Sequence, residues 1–442
     1  MLPASVLLIF FSALLAAGHI DAFERSHSID PRVDPPTAYG LNMVRPEHRQ
    51  IIDARVYEAP ADHAINMEPL AAEIARLEAE AGPYTAQLTQ PLMDLGVAYR
   101  NRGHAQQAID VLKRAMHVLR INHGLDTPLQ IPLLGQLIDS HLALGHYKEA
   151  DKKHSALYNL KLRIYQEEDP LRHIATEHFA DWQRNAYLAE LGKKKFNRLL
   201  GIHNMYSSLT EAQATRIGKT DAALVPLLYK QMQAEYLILL YDGEKKDEIA
   251  INSSQPGGED AVRVPSQAEM QFLMLQKNNF RNGKQALRRI LEIHEHNPDT
   301  PASDIAKAKI ALGDWHIWFG KPVIARHRYE EAFELLAASK DSDALIEECF
   351  GKPLELPISS VFQPGIIAPR AKHKGEVVMR FAVTNYGQAR KIKTIISDPA
   401  MKETDAGRRT YKMLKRVRFR PRMEAGKVVS TEGLERKYYV SY

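Results

Sequence analysis

From Met67 onward, apolar residues recur every three to four positions. In MEPLAAEIARLEAEAG, Leu70, Ile74 and Leu77 fall on one face and Gly82 closes the run, which predicts a helix. The next stretch, LGVAYRNRGHAQQAIDVLKRAM, orders Leu95, Gly96, Tyr99, Gly103, Ala108, Leu112 and Ala115. LIDSHLALGHYKEADKKHSAL repeats those offsets 42 residues later with Leu137, Ile138, His141, Gly145 and Ala150. A third copy gives Leu312, Gly313, His316, Gly320, Ala325, Tyr329 and Ala332, and Ala286, Ile290, Ile293 and Pro298 match the second half of the same unit. Between the copies, HFADWQRNAYLAELGKKKFNRLL and DAALVPLLYKQMQAEYLILLY keep helical period without the full signature.

Two antiparallel helices approach closely only where small residues sit at their crossing. Gly96 or Gly313, with Ala108, Ala150 or Ala325, supply that space, and Leu95, Tyr99, Leu112 and Tyr329 fill the gaps around it. Gly103, Gly145 and Gly320 fall in the turns. One hairpin cannot bury its apolar face alone, so copies stack. Leu95, Gly96, Tyr99, Ala108, Leu137, Ala150, Ala286, Pro298, Leu312, Gly313, Ala325 and Ala332 are therefore the candidate packing residues. This pattern resembles the tetratricopeptide repeat, well at 84–158 and 306–339, less well at 267–300 and weakly between. The resemblance implies a superhelix of helical hairpins over 69–348 that holds a protein partner on its concave face.

Three stretches break the pattern. Residues 23–68 are rich in Pro and His and read as a loosely packed lead-in. Residues 244–266 are polar with Gly, Ser and Pro and read as a loop inside the array. Residues 349–373 are Pro-spaced and read as an extended linker.

Beyond the linker the period changes from helical to two. Val377, Met379, Phe381 and Val383 alternate with Glu376, Val378, Arg380 and Ala382, TNYG supplies a turn at Gly387, and QARKIKTIIS alternates again through Ile392 and Ile395. Ala406, Tyr411, Leu414 and Val417 return to helical spacing. KRVRFRPR follows, with Phe419 turned inward and its arginines outward, then a turn at Gly426 and a closing strand ERKYYVSY. Gly375, Val377, Phe381, Val383 and Gly387, with Phe419 and Pro421 after a helix, resemble the TonB C-terminal domain, over about 70 residues (374–442). That resemblance implies an envelope module binding short partner segments by strand addition, with Arg436, Lys437, Tyr438, Tyr439 and Val440 as the candidate edge. The fold class expected is mainly α: a tetratricopeptide-like superhelix followed by a small α+β TonB-like domain.

Charge sharpens the division. Residues 370–442 carry 19 Lys and Arg against 7 Asp and Glu, which leaves 40 against 47 for the rest. Such a basic module with aromatics suits nucleic acid, but the first 22 residues argue otherwise. Leu2 to Ala17 is uncharged and apolar and is followed by small residues, as in a secretory signal peptide, with an uncleaved anchor as the alternative. The expected location is the periplasm or cell envelope, with protein partners and no nucleic acid; peripheral or anchored membrane association stays open. The single cysteine, Cys349, excludes an internal disulfide and reads as a buried thiol.

Catalytic patterns are missing from the sequence. IGKT at Ile217 to Thr220 lacks the earlier glycine of a phosphate loop, because Gln213 stands there. His294 and His296 lie two apart and face different sides of a helix, which reads as a solvated helix end. His141 and His316 read as buried, satisfied histidines, Trp315 and Trp318 as packing between repeats, and the Lys/Arg run at 152–163 as a solvated face. The expectation is a non-enzymatic interaction scaffold without cofactor or metal. The alternative is a membrane-anchored TonB-like energy transducer.

Overall fold

In a computed structural model, helices run antiparallel in successive pairs. The structure describes residues 67–189, 191, 195–241, 266–356, 374–397 and 406–441. The signal segment, the lead-in up to residue 66, the loop up to residue 265 and linker residues 357–373 lie outside the described residues.

Helix α1 (Met67–Ala81) precedes five hairpins. These are α2 (Thr89–Asn101) with α3 (Ala105–His123), α4 (Gln130–Ala143) with α5 (Tyr147–Ile164), α6 (Pro170–Leu188) with α7 (Lys195–Ile217), α8 (Val225–Leu240) with α9 (Gln267–His296), and α10 (Ala302–Trp318) with α11 (Pro322–Ala337). A short α12 (Ser342–Phe350) packs on α11.

One turn closes the first helix of four hairpins. The N–H groups of His104, His146, Leu191 and Lys321 donate to the carbonyls five residues back, on Tyr99, His141, Ala186 and His316. Gly103, Gly145 and Gly320 take φ of 80°, 67° and 69° in three of these turns, a region that favours glycine. The third hairpin shares the hydrogen bond without the signature. Its sequence reads as one helix, but α6 ends at Leu188, and Ala189 and Leu191 lie outside helix before α7.

Close crossings sit at the glycines. A Cβ on Gly96 would lie 2.6 Å from Leu112 Cγ, and one on Gly313 would lie 2.5 Å from Tyr329 Cε1. Gly283 of α9 makes a third close approach, against the indole of Trp315. Ala108, Ala150, Ala325 and Ala332 are fully buried, and Leu95, Leu137, Leu312 and Ala286 are buried as well. Tyr99 is half-buried against the first core, and Pro298 is exposed in the turn after α9.

The carboxy-terminal part is α+β. Strand β2 (Lys374–Val383) is flanked by β3 (Ala389–Ser397) and β7 (Thr431–Ser441), giving the antiparallel order β3-β2-β7. Helix α13 (Ala406–Arg416) packs on this sheet, burying Leu414 with Val377, Met379, Phe381, Val383, Phe419 and Tyr438. Gly387 turns β2 into β3 at φ 69°. Ile395, expected on the buried alternation, is instead partly exposed, because the register shifts between Val378 and Met379 and leaves it without a ladder partner. Between α13 and β7 lie β4 (Arg418–Arg420) and the hairpin of β5 (Arg422–Glu424) and β6 (Lys427–Val429), turned by Ala425 and Gly426 at positive φ.

The expected linker 349–373 begins inside ordered structure. Helix α12 continues to Phe350, and Leu354–Leu356 forms β1, which pairs antiparallel with β4. The Pro-spaced pattern hid this because a three-residue strand has no period to read. Among the described residues, no helix is long and apolar enough to cross a membrane.

Candidate partner-binding surfaces and the seam between them

Polar side chains link the first helices of neighbouring hairpins into a wall. Arg100 of α2 donates to Asp139 of α4 at 2.7 Å. Lys230 of α8 donates to Glu177 and Asp181 of α6, each at 2.8 Å, and Arg184 of α6 donates to Gln233 of α8. Asp181 also accepts from the Tyr206 hydroxyl at 2.6 Å, and burial followed by this carboxylate raises the phenol above its ordinary value. Tyr236 of α8 stands edge-on to Trp315 of α10, with ring centroids 4.9 Å apart. The wall thus carries mixed charge, with the Tyr236–Trp315 ring pair joining α8 to α10.

On α10 the corresponding carboxylate is taken by the carboxy-terminal module. Asp314 accepts from Arg420 Nε at 2.9 Å and Nη2 at 2.6 Å, and from the Tyr329 hydroxyl at 2.9 Å. Arg420 Nη1 donates to the Cys349 carbonyl at 3.1 Å. Both side chains of the ion pair are about 5% exposed. The expectation that the arginines of KRVRFRPR face outward therefore fails at Arg420. Its strand is covered on both faces, and the array supplies a buried carboxylate for it.

The β1–β4 ladder has two inner faces because side chains alternate across a strand. Phe419 lies opposite Glu355 and joins the module core. Leu356 joins the core of α10, α11 and α12, and Arg420 reaches Asp314 there. Met423 and Val428 of the β5–β6 hairpin pack on the same helical core. Leu240 at the end of α8 and Trp318 of α10 pack against the module core, and Trp318 also packs against the core of α10, α11 and α12, so it serves both array and module. Array and module share one continuous seam.

Strand β7 is an edge. It pairs with β2 from Lys374↔Ser441 to Val383↔Thr431, and no described strand pairs with its other side. The candidate edge residues divide by face. Lys437 is exposed, whereas Arg436 and Tyr438 are buried and turned to Glu355. Tyr439 and Val440 occupy ladder positions opposite Glu376 and Gly375.

A scan of family models finds no match, and neither does a search of curated proteins. Among solved structures, the chain is similar to a Podosopora anserina protein of nearly identical TPR-like repeats. The match has 12% identity and a TM-score of 0.36, and covers 58% of this chain and 98% of that one. It is also similar to BtubC (BKLC) from P. vanneervenii, at 14% identity and a TM-score of 0.32, covering 65% and 91%. The helical-hairpin class rests on the geometry above.

Other predicted positions fall as follows. His316 is buried and its Nδ1 lies 2.7 Å from the Leu312 carbonyl, while His141 is buried with Nδ1 lacking a hydrogen-bond partner. Burial lowers the pKa of both. Lys153 and Lys161, expected on a solvated face, are half-buried, and burial lowers both ammonium pKa values. Gly218 of IGKT ends α7 at φ 100°. His294 and His296 sit in the last turn of α9, where His296 bonds the Glu292 carbonyl. Cys349 is buried, and burial raises its thiol pKa. Among the described residues, no group of three His, Cys, Asp or Glu could hold a metal ion.

Sequence reasoning missed two clusters. Glu235, fully buried on α8, bonds His203 of α7 at 2.6 Å and Asn279 of α9 at 2.6 Å. The Asp314–Arg420 pair joins residues 106 positions apart. The available signal was an acidic residue inside the mostly apolar LGDWHIW, which demands a buried partner.

Proposed function

We propose that the chain is a non-enzymatic protein-interaction scaffold of the cell envelope. The wall of first helices binds one partner, and the carboxy-terminal module binds a second by strand addition along β7. The observation that carries this reading is the eleven-residue edge strand β7, open on one side among the described residues and held by a seam to the repeat array. The element order, two strands, a helix and a last strand returning beside the first, supports the TonB-like reading of the module. The mixed charge of Glu177, Asp181, Arg184 and Lys230 suits a polar peptide. The apolar segment Leu2 to Ala17 supports export or anchoring at the inner membrane.

Site-specific photo-crosslinking tests this. A crosslinker at exposed Lys437 should capture one envelope protein, and one at Asp181 a different protein. A chain ending at Tyr438 keeps the buried Arg436 and Tyr438 but shortens the edge, so it should lose the first capture and keep the second. Capture of the same protein at both positions, or unchanged capture by the shortened chain, would refute the two-surface reading.

A further inference from the structure

The seam contains two buried carboxylates that are held very differently. Asp314 accepts two short bonds from Arg420 and one from Tyr329. Glu355 is 3% exposed, yet its Oε1 has no hydrogen-bond partner among the described residues. Its Oε2 accepts from the Tyr438 hydroxyl at 3.1 Å and lies 3.5 Å from Arg436 Nη1, at the limit of hydrogen-bond range. Arg436 directs its other terminal nitrogen to the Pro353 carbonyl at 2.5 Å, and its guanidinium lies 5.5 Å from the centre of the Phe419 ring. A charged Glu355 is therefore left half-satisfied in a buried site, at the point where β1 meets both β4 and β7.

We propose that the β1–β4 seam is a proton-controlled latch, in which protonated Glu355 holds the module on the array and ionised Glu355 loosens it. A carboxylic acid is neutral and loses far less on burial than a carboxylate with one bare oxygen. The groups that face Glu355 are Arg436 and Tyr438 of β7. The ionic groups of β4 turn elsewhere: Arg420 to Asp314 of α10, and Arg418 to the carbonyls of Arg416 and Val417. Tyr329 of α11 and Cys349 of α12 lie on the Arg420 side.

Electrostatics agree with the geometry. Burial pushes Glu355 up to about 7 from its ordinary 4.5, opposed by Arg436 and Tyr438. With the folded value above the unfolded one, the contribution to stability is fully present below pH 4.5 and is lost as pH rises through about 7. Acid tightens this seam, and neutral to alkaline solution loosens it.

The chain's single cysteine reports the seam directly, because Cys349 is buried and its carbonyl accepts from Arg420. The rate at which a small thiol reagent modifies Cys349 in the full chain, divided by the rate in urea at the same pH, measures opening free of thiolate chemistry. Between pH 5.5 and 8 this protection should fall by about tenfold or more in the native sequence, and stay flat in Glu355→Gln. Tyr438→Phe removes a donor to the ionised form, so its midpoint should move to higher pH, which gives a reading even if the glutamine variant folds poorly. Equal slopes in the native chain and Glu355→Gln, protection that rises with pH, or a Tyr438→Phe midpoint that stays or falls would each overturn the proposal.

Discussion

Replacing buried Arg420 of β4 by methionine should separate module from array. The guanidinium makes three hydrogen bonds, two to Asp314 and one to the Cys349 carbonyl, all within the buried seam. Methionine keeps most of the aliphatic stem but leaves the Asp314 carboxylate, about 4% exposed, with the Tyr329 hydroxyl as its remaining donor. Removing one member of a buried ion pair costs about 3–5 kcal/mol, much of it the stranded charge. Adding Asp314→Asn removes that charge, so the double variant should recover about 2 kcal/mol relative to the sum of the single losses. Urea unfolding followed by tryptophan emission reads this locally, because Trp315 and Trp318 follow Asp314 on the same helix. A loss below about 1 kcal/mol for Arg420→Met, or strict additivity in the double variant, would refute the reasoning, since either result means that the pair is not buried and coupled.

Gly387→Ala places a Cβ against the Phe419 carbonyl and 2.7 Å from Ile317 Cδ1 at φ 69°, and should cost about 3 kcal/mol in the same unfolding assay. Gly313→Ala should cost about 2–3 kcal/mol and more than Gly96→Ala, because Tyr329 is fixed by its bond to Asp314 while Leu112 can change rotamer. His154, stacked on Trp182 at 3.7 Å with Nε2 unpartnered, is pushed down to about 4 by burial. The neutral ring is the folded form, so its contribution is present above pH 6.5 and lost as pH falls through 4. Denaturant titrations at pH 7.5 and 4.5 should show His154→Phe losing about 2 kcal/mol less than the native chain; equal losses would contradict this assignment.

Periodicity carried the helical class because each hairpin buries a face with a 3.6-residue repeat, and Gly96 and Gly313 mark their crossings directly. The third hairpin escaped because Gln183, bonded to Arg198, stands where a glycine marks the crossing in the first and last hairpins. The alternation in β2 and the turn at Gly387 were equally legible. Long-range pairing was not. Nothing local in LEL announces a strand, and nothing in KRVRFRPR distinguishes buried Arg420 from its exposed neighbour Arg416, since burial there is decided by Asp314 on a helix far back in the chain. The edge strand was legible as a strand, but the inward turn of Arg436 and Tyr438 depends on Glu355, in a stretch read as linker.

With the seam closed below about pH 7, array and module form one body, which holds the two proposed partner surfaces at a fixed separation. Spin labels at exposed Glu292 of α9 and Lys412 of α13, in a Cys349→Ala background, test it by the distribution of distances between them. At pH 5.5 the account predicts one narrow peak that broadens on adding Arg420→Met. A broad, multi-peaked distribution in the otherwise native chain at that pH would contradict it.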